Sequence, residues 1–198
     1  MTQTAARTNH TRPRSPEMVE VSGSMITSTA AKALAVLRIS TGFVFLWAFL
    51  DKTFGLNYAT PSAKAWINGG SPTKGFLASV EVGPFQSFFH AIAGTWWANG
   101  LFMLGLLAIG VALIAGVAMR IAAIFGVVML AMMWLAEVPF AQFTSAGEPT
   151  GSPNPFADSH FIYAVVLIVL AATYAGTTWG LGATWARLPF IHRNRWAQ

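Results

Sequence analysis

Two apolar runs, residues 101–119 and 121–138, are separated by a single residue, Arg120. About 20 apolar residues suffice to cross the roughly 30 Å of hydrocarbon in a bilayer. One straight helix through both runs would be far too long for that, so the pair is expected to fold as a tight helical hairpin turning at Arg120. Two further runs reach similar length. Residues 30–50 form the first, interrupted by Lys32 and Arg38, and residues 160–179 form the last. The expected fold is therefore all-α: a polytopic membrane bundle of four helices.

Composition points the same way. Hydrophobic residues make up 55% of the 198 and charged residues only 10%, against roughly 25% charged in soluble domains. A chain with so few charges cannot cover itself with a water-facing surface, so lipid is its natural solvent and partner. The net charge of +5 comes from Lys and Arg placed in the tails and between apolar runs. That distribution suits lipid headgroups and argues against nucleic acid. The chain has no Cys, which excludes disulfides, thiolate metal ligands and a dithiol redox couple.

The basic residues also set orientation. Arg7, Arg12, Arg14, Lys32, Arg120, Arg187, Arg193 and Arg195 fall on one side of a four-span arrangement. By the positive-inside rule that side is cytoplasmic, which puts both termini inside at the plasma membrane. Residues 1–29 are polar and read as a disordered cytoplasmic tail, 30–188 as the transmembrane domain and 189–198 as a basic cytoplasmic tail. The first run ends in Phe49-Leu50-Asp51-Lys52 and not in a small-residue cleavage site, so it is expected to stay in place as a helix.

Residues 52–100 are too many for a plain loop. Phe85, Phe88, Phe89, Ile92 and Trp96 form a helical stripe after Gly83-Pro84, which predicts an extra interfacial helix between the first two spans. Ala108, Ala112 and Gly116, Ala122 and Gly126, and Ala172 and Gly176 recur every four residues. Such small residues let helices approach closely where lipid gives no hydrophobic drive.

Ionisable groups in or beside the spans are the candidate functional residues, because each costs free energy in lipid unless partnered. Arg38 and Lys52 lie within about 40° of one helix face, with Phe45 and Phe49 between them. That face either turns into the bundle, or Arg38 snorkels inward and Lys52 anchors the outer interface. At the outer ends stand Glu137, Asp158 and His160. Asp158 serves either as a helix cap or as an acid, and His160 beside a carboxylate is suited to proton relay. The four His lack metal-ligand spacing, so no metal site is expected.

The ordered set Leu37-Arg38-Ile39-Ser40-Thr41-Gly42-Phe43, Phe49-Leu50-Asp51-Lys52, residues 66–75, Ala118-Met119-Arg120-Ile121-Ala122, residues 154–160 and residues 178–182 resembles the DoxX/DoxD-like membrane proteins. The resemblance implies a four-helix bundle tied to respiratory redox chemistry. DoxD-type members look like the quinone-reducing subunit of a thiosulfate:quinone oxidoreductase. Other relatives resemble scaffolds that join detoxifying enzymes at the membrane. On this reading a quinone lies against Phe45 and Phe49, with Arg38 donating to its carbonyl. Lys52 and Lys74 attract thiosulfate, and Glu137, Asp158 and His160 handle protons. A second redox subunit and a homo-oligomer are the partners it suggests.

Overall fold

The computed structural model describes residues 18–21, 24–152, 154–194 and 196. Most of the expected N-terminal tail, with Arg7, Arg12 and Arg14, lies outside these residues, as does Arg195. Two short antiparallel strands, β1 (Met18–Val21) and β2 (Ser24–Thr27), lead into the helices.

The long helices are α1 (Ser28–Phe54), α4 (Trp96–Ala115) and α5 (Met119–Glu137). These three are long and apolar enough to cross a membrane. Helix α1 starts where the Thr27 hydroxyl accepts from the Ala30 N–H at 3.2 Å. It ends where Gly55 takes a left-handed conformation and returns its N–H to the Asp51 carbonyl. A side chain at Gly55 would also run into Ser62.

Helices α4 and α5 form the expected hairpin, but the turn is Gly116 to Ala118 and not Arg120. Gly116 and Ala118 are both left-handed, and the N–H groups of Gly116 and Val117 close back on the Ala112 carbonyl. Arg120 is displaced into the first turn of α5, where it donates to the Tyr174 hydroxyl at 2.8 Å. The turn came earlier than charge placement suggested because glycine tolerates the left-handed helix end and arginine does not.

The last apolar run behaves differently. Helix α6 covers Ser159–Ala172 only, about 21 Å of rise and short of a bilayer core. Tyr174 then turns left-handed and a 3-10 turn follows over Ala175–Thr177. Short helices α2 (Lys74–Ala78) and α3 (Gln86–Ile92) join α1 to α4, while α7 (Gly182–Ala186) and α8 (Pro189–Arg193) follow α6. Helix α3 carries Phe88, Phe89 and Ile92 of the stripe predicted after Gly83-Pro84, while Phe85 precedes it and Trp96 opens α4.

Packing pairs α1 with α4 and α5 with α6, and α4 and α5 touch each other less extensively. Met103, Leu106, Leu113, Leu130, Leu167 and Leu170 meet in the shared core. Glycine makes the closest approaches. A Cβ on Gly110 would lie 2.7 Å from the Leu46 backbone, and one on Gly176 would lie 2.3 Å from the Gly116 carbonyl oxygen. The expected close packing therefore holds at Gly116, Gly126 and Gly176. Ala108 and Ala112 instead line a groove.

Candidate functional site

Antiparallel packing gives the bundle two ends. The first half of α1 meets the last turn of α4 and the chain after α6 at one end. The last turns of α1 and α5 and the first turns of α4 and α6 gather at the other.

Arg38 governs the first end. It is fully buried, and its Nε donates to the Ala175 carbonyl at 3.1 Å. Its Nη1 donates to the carbonyls of Leu113 and Ile114, the latter at 2.8 Å. Its Nη2 donates to Thr178 at 3.1 Å and Trp179 at 3.0 Å. A guanidinium has five N–H donors, and here five carbonyls receive them. Two come from the end of α4, where a helix leaves carbonyls over, although Leu113 also accepts from the Gly116 N–H; three come from the chain beyond α6. Arg38 therefore faces inward, as the face geometry suggested, but it retains no donor for a quinone carbonyl. Phe45 is also buried, and Phe49 is half-buried against the same core.

The opposite end brings together the three residues expected to handle protons. His160 Nδ1 lies 2.9 Å from Asp158 Oδ2 and 3.3 Å from Glu137 Oε2. Each is fixed by its own piece of backbone. Asp158 caps α6, its Oδ1 accepting from the Phe161 N–H at 2.8 Å. His160 stands in the first turn of that helix. Glu137 is the last residue of α5, and the next residue, Val138, is held left-handed at φ 47° with its side chain buried. A β-branched residue in that region costs on the order of 1–3 kcal/mol, which the surrounding packing must offset. The capping reading of Asp158 is thus realised by one oxygen, while the other meets His160.

Burial works against ionisation of Asp158, but the Phe161 N–H and the His160 ring outweigh it and hold the carboxyl below its ordinary value. Glu137 is the open member of the group, with 43% of its side chain exposed against 14% for His160 and 11% for Asp158. An imidazole nitrogen shared between a buried and an exposed carboxylate can pass a proton from one to the other. The donor atoms of the three also lie within 4.8 Å of one another.

The two lysines expected to attract an anion differ in exposure. Lys74 is exposed at the start of α2. Lys52 is half-buried and lines an apolar groove between α4 and α5, of about 790 Å³.

Two polar anchors at this end were not foreseen. Asp51, almost wholly buried, accepts from the N–H groups of Tyr58 and Ala59 and ties down the chain after α1. Asn99 is buried in the first turn of α4. Its Oδ1 accepts from the Thr73 N–H and hydroxyl at 3.1 and 2.8 Å, and its Nδ2 donates to Ser71 Oγ and the Gly94 carbonyl. A lone amide opening a long apolar helix was the available signal. Its partners, 26 and 28 residues earlier, carried none.

Compared with family models, characterised proteins and solved structures, the chain shows no match.

Proposed function

We propose that the chain is a four-span plasma-membrane protein with both termini cytoplasmic, similar to the DoxX/DoxD-like proteins. On this reading it is the membrane redox subunit through which thiosulfate oxidation delivers electrons to a quinone. Helix α6 with the 3-10 turn after it forms the fourth span. A broken helix is tolerated at membrane depth only if its freed backbone groups find partners inside the protein. The bonds from Arg38 to Ala175, Thr178 and Trp179 meet that demand. The end carrying Glu137 and His160 then faces outward, and α2 and α3 lie at the outer interface.

The observation that carries the redox reading is the convergence of Glu137 and Asp158 on one nitrogen of His160. Joining two thiosulfate dianions through a new S–S bond releases two electrons, and a quinone taking them up also takes two protons. Glu137, open to water, exchanges protons with solvent. His160 relays them, and Asp158 fixes the ring orientation. Exposed Lys74 is a cation available to an approaching sulfur dianion. The quinone is the two-electron acceptor that the resemblance brings. Arg38 gives its N–H groups to backbone carbonyls, so no step is assigned to it, and Phe45 and Phe49 stay the proposed contacts of the ring.

The rival reading is a membrane scaffold for a redox or detoxification complex. It draws on the use of Arg38, Asp51 and Asn99 to hold backbone in place. Purified protein in mild detergent separates the two. Thiosulfate-dependent reduction of an added quinone supports the redox subunit. No turnover, together with a co-purifying enzyme, replaces it with the scaffold.

A further inference from the structure

The groove between α4 and α5 is not used by the proton-handling group, and its lining is apolar except at one end. At the His160 end of the bundle it is roofed by Phe76 and Leu77 of α2 and Phe89 and Ile92 of α3. From there it runs between the two helices from Ala98 to Ala112, a rise of about 21 Å. Gly105, Ala108 and Ala112 make it deep on the α4 side. Along its length it opens sideways between Leu101, Leu104, Phe125 and Val128, all strongly exposed. Its volume of about 790 Å³ falls within the roughly 300–1,000 Å³ of ordinary ligand sites.

One charged side chain lines it. Lys52 stands at the roofed end beside Thr73. Among the described residues no carboxylate lies within ion-pair distance of its ammonium. Neighbouring Asp51 is turned away, its oxygens accepting from Tyr58 and Ala59. A half-buried cation without a counter-ion, at the head of a long apolar channel, is complementary to an anion carrying a hydrocarbon chain. The sideways opening sets the source: the occupant enters from the bilayer and not from water.

We infer that this groove holds an anionic phospholipid, its phosphate on Lys52 and one acyl chain along α4 toward Ala112. The site rests on the membrane reading of the helices and not on the redox role, so either can fail alone. It assigns Lys52 to lipid, leaving exposed Lys74 for the sulfur dianion.

The test is native mass spectrometry and lipid extraction after reconstitution in vesicles of phosphatidylglycerol and phosphatidylcholine, followed by mild detergent. Wild-type protein is expected to retain phosphatidylglycerol selectively. Lys52→Gln should lower its retention about fivefold, the weight of one lysine beside an anionic headgroup, and Lys52→Arg should restore it. Ala108→Leu, at an exposed position that tolerates added bulk, should exclude the chain while the melting temperature holds. Equal retention of phosphatidylglycerol by wild type and Lys52→Gln would overturn the assignment. So would retention of a quinone or a free fatty acid in place of phosphatidylglycerol, of only phosphatidylcholine, or of no lipid at all.

Discussion

Replacing Arg38 removes the largest single set of tertiary hydrogen bonds described above. Arg38→Leu leaves the carbonyls of Leu113, Ile114, Ala175, Thr178 and Trp179 without their donors. A net value of about 1 kcal/mol for each buried hydrogen bond gives a loss of about 5 kcal/mol. For a chain of this size the loss corresponds to a fall of about 10–20 °C in melting temperature. Arg38→Lys should be intermediate, because an ammonium has three donors and no planar fork to reach two helix ends at once. The assay is detergent melting followed by circular dichroism, with proteolysis of the chain beyond α6 as a local readout. If both variants melt like wild type, Arg38 does not hold the helix ends, and the account of the broken α6 fails with it.

Other perturbations test separate parts. Gly176→Ala should destabilise the fold, because the added Cβ would lie 2.3 Å from the Gly116 carbonyl oxygen and neither backbone can retreat; equal melting temperatures would contradict that close approach. Asn99→Ala should cost about 1–3 kcal/mol by stranding the buried Thr73 N–H, and should raise protease sensitivity between α1 and α4. Asp158 is held below its ordinary value, so its contribution is present above the unfolded pKa of about 4 and is lost as pH falls through the lower folded value. The melting temperature of wild type should therefore drop below about pH 4, and Asp158→Asn, already lacking the cap's charge, should show a shallower slope there.

What the sequence made legible was whatever rests on composition and local pattern. Long apolar runs announced the spans, and the single Arg120 between two of them announced the hairpin. The helical stripe after Gly83-Pro84 marked α3. The acidic residues and His at the ends of runs marked the group around His160, because helix ends in an antiparallel bundle come together in pairs. What stayed hidden depends on backbone acceptors and long separations. The face of Arg38 was readable, but its partners are carbonyls, which every residue carries, so nothing in the sequence marked them. The end of α6 at Ala172 was masked by apolar residues continuing past it. The break comes from left-handed Tyr174 and the contact of Gly176 with Gly116, 60 residues away. The fate of Ala108 and Ala112 was equally hidden, since small residues suit a groove floor as well as a helix contact.

The central claim is that Glu137 and His160, with Asp158 fixing the ring, handle protons during thiosulfate-driven quinone reduction. The most direct measurement is the turnover of a soluble quinone analogue by purified wild-type protein and by Glu137→Gln, which keeps the shape of the side chain and removes its acid. General acid–base groups contribute roughly 10²–10⁴-fold, so turnover of Glu137→Gln should fall at least about 100-fold with the melting temperature held. Wild-type protein without turnover, or a variant within about twofold of it, would contradict the account.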